Sequence, residues 1–159
     1  MITLLDYGAG NVRSVINAIE SLGERVTVAA SGRDIQSAEK LIFPGVGAFG
    51  NMMHILHEKG FIAPLKAYLR SNRPFLGICL GLQALLDRSD EAPGVKCLGI
   101  LSGSVKRFTT DLAVPHIGWN GIRAHQPSVI FNGLQGDEKF YFVHSYHIVV
   151  DAEADVLTT

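Results

Sequence analysis

Cysteine is scarce. Only Cys79 and Cys97 occur in 159 residues, too few for a disulfide framework, and no charged n-region with an apolar h-region opens the chain. Both absences speak against secretion and for a reducing cytoplasm. Long apolar runs are missing too: the longest, Phe75 to Leu86, is interrupted by Gly77, Gly81 and Gln83 and is too short to span a bilayer. Basic excess is absent. Fourteen Lys and Arg stand scattered against fifteen Asp and Glu, a net charge of −1, so neither nucleic acid nor an anionic membrane is an expected partner. His54 and His57 have ligand spacing but no third ligand nearby, so they read as a solvated helix face and no metal is expected. Cofactor fingerprints are incomplete. Gly8-Ala9-Gly10 lacks the third glycine and distal acid of a dinucleotide loop, and no Gly-Lys-Ser/Thr follows Gly45-Val46-Gly47, so no cofactor is expected. The length suits one domain with its own core.

What is present centres on Pro74 to Ser89. An apolar run through Gly77-Ile78-Cys79-Leu80-Gly81 passes into Leu82, Leu85 and Leu86 at helical spacing, so the segment reads as strand, sharp turn and helix. This is the nucleophile-elbow arrangement with sulfur in place of oxygen. Such a turn brings strand and helix together, leaving no room for a Cβ two residues before or after the nucleophile; Gly77 and Gly81 occupy those positions. The following helix N-terminus favours a thiolate, and the Leu80 N–H points where an oxyanion forms. A buried structural cysteine is the plain alternative, and it is the reading for Cys97.

Ile2–Leu5 reads as a first strand, and the loop Asp6 to Asn11 opens a helix bearing Val12, Val15, Ile16, Ile19 and Leu22 on one face, ended by Gly23. Asn11 reads most simply as its cap. Arg25–Ala29 and Lys40–Phe43 read as further strands, with Ser31–Ala38 a short helix between them. The glycine loop from Pro44 to Gly50 follows, with backbone N–H groups bare enough to supply a second oxyanion donor. Helices are expected over 51–58 and 62–71, strand-turn-strand over 97–108, and β structure throughout 139–150 with His144 and Ser145 in its middle. Residues 151–159 form a polar run, to Thr159, without a helix. Strands alternating with helices imply an α/β fold, a mostly parallel three-layer α/β/α sheet of the flavodoxin or Rossmann type, with ligands at the carboxyl ends of the strands.

DYGAGN (6–11), PGVGAFG (44–50), GICLGLQ (77–83), PHIGWN (115–120) and YFVHSY (141–146) together resemble the class I glutamine amidotransferases, and specifically the glutamine amidotransferase subunit or domain of imidazole glycerol phosphate synthase. The resemblance spans nearly the whole chain and implies one amidotransferase domain over 1–159. It implies a glutaminase of histidine biosynthesis in which Cys79 attacks the glutamine side-chain amide, forms a glutamyl thioester and releases ammonia. Leu80, Val46 and Gly47 would supply the oxyanion hole, the 45–47 loop rearranging before it presents its donor. Gly45, Gln83, His144, Ser145 and Tyr146 would hold glutamine. Asn11, Trp119 and Asn120 would meet the cyclase partner, a β/α barrel that receives the ammonia.

One departure stands out. A cysteine nucleophile needs a base to take its proton, and spacing alone nominates His116 or His144. The family instead carries its histidine and glutamate in a later His-Pro-Glu motif, and no such motif occurs in this sequence. The resemblance thus puts two members of the triad beyond Thr159. The expectation is a copy incomplete at its C-terminus, inactive by itself. A catalytically dead module that only docks on the cyclase is the alternative, and a cysteine hydrolase using His116 or His144 is a third reading.

Overall fold

Residues 1–9 and 11–151 are described by the structure, a computed structural model; Gly10 of the first loop and the polar run 152–159 lie outside the described residues. The triad histidine and glutamate expected beyond Thr159 lie outside them as well. The first half alternates strand and helix: β1 (Ile2–Leu5), α1 (Val12–Ser21), β2 (Val26–Ala29), α2 (Gly32–Ser37), β3 (Lys40–Gly45), α3 (Phe49–Glu58), α4 (Ile62–Arg70), β4 (Phe75–Cys79) and α5 (Leu80–Gln83). The strands pair in the order β2-β1-β3-β4, all parallel. In-register partners put Gly45 beside Cys79 at the carboxyl end of β3 and β4. The glycine loops therefore meet where a parallel sheet binds ligands.

Alternation along the strands divides the core. Leu5, Ala29, Leu41 and Phe43 face a buried cluster with Ile35, Phe49, Met52, Leu56, Leu65 and Tyr68 from α2, α3 and α4. Leu4 and Ile19 are buried outside that cluster, on the opposite face under α1. Helices α2 to α4 thus cover one face, while α1 covers only part of the other, where Val28, Leu76 and Ile78 are exposed. The helix limits follow local chemistry: α2 starts in a Ser31–Asp34 capping box, and α1 stops at Gly23, whose φ of 78° suits glycine and whose N–H donates to the Glu20 carbonyl. Asn11 stands at the start of α1 but its side chain makes no capping hydrogen bond, contrary to the expected cap.

The second half is strand and turn apart from one short 3₁₀ helix at Val129–Phe131. Strands β5 (Arg88–Ser89), β6 (Gly103–Arg107) and β9 (Tyr146–Val150) form one small sheet; β7 (His116–Asn120) and β8 (Phe140–His144) form an antiparallel pair. Three expectations are corrected here. The β run over 139–150 is two strands in two different sheets, broken at Ser145, and only 103–107 of the expected strand-turn-strand is strand. The elbow helix is also shorter than its leucine spacing suggested. The carbonyls of Ala84, Leu85 and Leu86 accept N–H groups from residues 98–101, so they are withdrawn from any further helical turn. Among the described residues no helix is long and apolar enough to cross a membrane.

Candidate active site

Cys79 stands at the corner between β4 and α5 with φ 55° and ψ −115°, a backbone conformation that non-glycine residues rarely adopt. The surrounding glycines make the corner possible. A Cβ on Gly77 would come within 2.7 Å of the Leu82 backbone, one on Gly45 within 2.7 Å of the Leu80 Cβ, and one on Gly81 would fall on the Phe43 carbonyl. Strand β3 and the elbow are thus packed backbone to backbone, and the thiol is pushed outward. Cys79 is exposed; Cys97 is buried, and burial, helped by the nearby Asp87 carboxylate, pushes its thiol pKa up to about 11. One cysteine is available at neutral pH and the other is inert.

In front of Cys79 lies a cavity of about 390 Å³ lined by Val46, Gly47, Leu80, Gln83, Glu91, Pro115 and residues 143–146. Seven of the residues singled out in the sequence, Val46, Gly47, Leu80, Gln83, His144, Ser145 and Tyr146, surround the eighth, Cys79. Gly45 lies behind them, buried against Leu80 and Gly81 rather than on the cavity wall. Asn11, Trp119 and Asn120 are exposed and outside the lining. Gln83 is buried, and its Oε1 has no hydrogen-bond partner among the described residues. A buried acceptor without a donor is costly, and it opens the cavity floor to a ligand N–H.

The Val46 N–H is already in use. It donates to the Tyr7 hydroxyl at 3.2 Å, and that hydroxyl donates to the Val46 carbonyl at 3.2 Å. Tyr7 is buried, and its pKa is raised first by that burial, with the Cys79 charge adding to the rise. Nothing in the sequence singles out Tyr7, because the bond spans the two loops at the ends of β1 and β3. Glu91 was missed as well: it lies within the polar, turn-rich stretch 87–96, which carries no motif, yet it is a carboxylate on the cavity wall and its Oε1 accepts the Phe49 N–H at 3.0 Å.

The two imidazoles nominated from spacing are engaged with each other. His116 Nδ1 lies 3.2 Å from His144 Nε2, His116 Nε2 lies 2.7 Å from Asn120 Nδ2, and His144 Nδ1 lies 2.9 Å from the Tyr146 carbonyl. Neither of these two imidazoles is hydrogen-bonded to the Cys79 thiol, so the reading of His116 or His144 as its base lacks the required contact. His54 faces solvent in an ion pair with Glu58, and no cluster of metal-ligating side chains occurs among the described residues.

The sequence as a whole matches the family model for glutamine amidotransferase class-I over residues 3–159. The chain belongs to that family. It is 47% identical over 155 residues to imidazole glycerol phosphate synthase hisHF of Arabidopsis thaliana, covering 96% of this chain and 26% of that one. It is 42% identical over 153 residues to imidazole glycerol phosphate synthase subunit HisH of Desulfitobacterium hafniense, covering 96% of this chain and 72% of the relative. The chain therefore spans about a quarter of the length of the first of these and about three quarters of the second. A crystal structure of a glutamine amidotransferase superposes with a TM-score of 0.72 at 19% identity, over 99% of this chain and 78% of that one, which makes the amidotransferase fold of this chain plain.

Proposed function

We propose that this amidotransferase chain hydrolyses glutamine at Cys79 and delivers the ammonia to a cyclase partner in imidazole glycerol phosphate synthesis. The observation that carries the reading is the exposed thiol on a strained elbow at the mouth of a cavity sized for an amino acid. Relatives named as imidazole glycerol phosphate synthase, and as its HisH subunit, support the pathway and the partner. In the reaction the Cys79 Sγ bonds to the side-chain amide carbon of glutamine, and the carbonyl π pair moves onto oxygen. When the tetrahedral centre collapses, the C–N bond breaks, the nitrogen takes a proton and leaves as ammonia, and a glutamyl thioester remains. Water then cleaves the thioester to glutamate and restores the thiol. The proton carrier for these steps is neither His116 nor His144, whose ring nitrogens are engaged with each other, with Asn120 and with the Tyr146 carbonyl.

The Leu80 N–H, next to the nucleophile, is one donor for the oxyanion; Val46 and Gly47 supply the second. That second donor is masked while Tyr7 accepts the Val46 N–H, so the loop must turn its peptide before both donors act. Gln83 Oε1 accepts an N–H of the substrate, and Glu91 supplies the negative charge that an α-ammonium group meets. The backbone of His144, Ser145 and Tyr146 holds the remaining amino-acid end, and Gly45 keeps β3 close enough for the loop to reach the thiol. Asn11, Trp119 and Asn120 are assigned to the cyclase contact, and a reducing cytoplasm suits a working thiol. A docking module without chemistry has no observation in its favour.

Alkylation by a diazoketone analogue of glutamine tests this. A single adduct on the Cys79 peptide, suppressed by glutamine and not by glutamate, is the expected result. Labelling that glutamine leaves untouched overturns the substrate, and absence of glutamine-dependent ammonia release in the presence of the cyclase overturns the activity.

A further inference from the structure

Ser145 joins β8 to β9, and those strands belong to different sheets, so the junction that walls the cavity has no ladder of its own. Its backbone is fixed instead from two sides. The Ser145 carbonyl accepts the Phe108 N–H at 3.0 Å, and the Tyr146 carbonyl lies 2.9 Å from His144 Nδ1. A carbonyl only accepts, so His144 carries its proton on Nδ1. A neutral His144 then accepts at Nε2, so the His116 nitrogen 3.2 Å away, Nδ1, must also carry a proton. His116 Nε2 is left as an acceptor, and Asn120 Nδ2, 2.7 Å away, donates to it. One acceptor at the inner end thus sets the direction of every bond out to Asn120 at the surface.

We propose that Asn120, His116 and His144 form an ordered relay that fixes both imidazoles in the Nδ1–H form and so positions the Ser145–Tyr146 wall of the cavity. His116 and Asn120 are positioning residues: neither lies against the Cys79 thiol, and both act through His144. Ring packing holds the relay in line, with His116 stacked on Phe142 at 5.5 Å between centroids and His144 set edge-on to Phe108 at 5.0 Å. The ring of a free histidine side chain in water favours its proton on Nε2, so the opposite form at two neighbouring histidines is a specific demand on the protein.

The consequence for ligand binding rests on the glutaminase reading; the tautomers do not. Long-range ¹H–¹⁵N correlation spectra of the full chain with ¹⁵N-labelled histidine, at a pH where the imidazoles are neutral, should give the Nδ1–H pattern for both His116 and His144. The Nε2–H pattern at either one overturns the relay. Asn120→Asp replaces the outer donor by an acceptor of the same shape, so a proton must then appear on His116 Nε2; an unchanged spectrum counts against the order proposed. Alkylation of Cys79 by the diazoketone reads the function. In both Asn120→Asp and His116→Phe, which keeps a ring on Phe142, the half-saturating concentration should rise about tenfold, the scale of one hydrogen bond, with the change in half-saturation rather than in the limiting rate. An unchanged half-saturation in both variants overturns the positioning role. If glutamine fails to protect the unmodified protein while both tautomers are as stated, the substrate reading fails and the relay stands.

Discussion

The elbow half of the molecule and the β7–β8 hairpin are held together by opposite means. Around Cys79 the chain is fixed by exclusion: three glycines let backbone touch backbone, and Phe43, Leu80, Ala84 and Leu86 are buried behind them. In the hairpin the reverse holds. Ile117, Trp119, Tyr141 and Val143 share one face, with Trp119 67% and Val143 61% exposed, and the opposite face is organised by a line of directed hydrogen bonds. Packing fixes the position of the elbow; the hairpin keeps its apolar area in water and its alignment in polar contacts.

Four substitutions break or sharpen that contrast. Cys79→Ala should abolish both diazoketone labelling and ammonia release, and residual labelling at Cys97 would contradict its buried state. Gly81→Ala should come next, costing about 3 kcal/mol of stability in urea unfolding, because the new methyl meets the Phe43 carbonyl rather than a flexible side chain. An unchanged midpoint would mean that β3 and the elbow are not in contact. Tyr7→Phe removes the hydroxyl that occupies the Val46 N–H and should raise the rate of Cys79 alkylation about tenfold; a fall would make Tyr7 a support of the active loop instead of a competitor. Trp119→Ala should be the mildest in the isolated chain, shifting stability by less than about 0.5 kcal/mol, while weakening association with the cyclase.

A pH series separates the two cysteines. Cys97 is neutral in the folded chain up to about 11, whereas its unfolded counterpart loses its proton near the ordinary value of 9.0. Between those values the unfolded state binds fewer protons, so stability falls as pH rises, by at most about 1.4 kcal/mol per pH unit from this group. Burial raises Tyr7 and Tyr68 as well, and they act in the same direction from about pH 10 upward. Cys97→Ala should flatten the fall between pH 9 and 11, measured by urea unfolding at each pH. A slope equal to that of the unmodified chain would show that Cys97 is not the group responsible.

The first half was legible because its signals are local. Apolar alternation and spacing mark β1 to β4 and α1 to α4 within a residue or two, and Gly77 and Gly81 announce a corner before any coordinates. The elbow helix was overread because Leu85 and Leu86 are buried by the backbone of residues 98–101, which imitates a helical face. The break at Ser145 was hidden inside one continuous β-rich run, since assignment of its halves to different sheets depends on partners elsewhere in the chain. The contacts made by Tyr7 and Glu91, and the pairing of His116 with His144, could not be read, although both histidines stand out in the sequence. Their contacts join residues 39, 42 and 28 positions apart, and no periodicity records such distances.

The unequal treatment of two sulfurs has a practical side. Because Cys97 is buried with its thiol pKa pushed up to about 11 while Cys79 is exposed beside the cavity, a neutral-pH thiol reagent meets Cys79 first. The protein therefore arrives with its own attachment point for a dye or spin label, beside the cavity that Val46, Gln83 and Tyr146 line. No second cysteine has to be engineered away first.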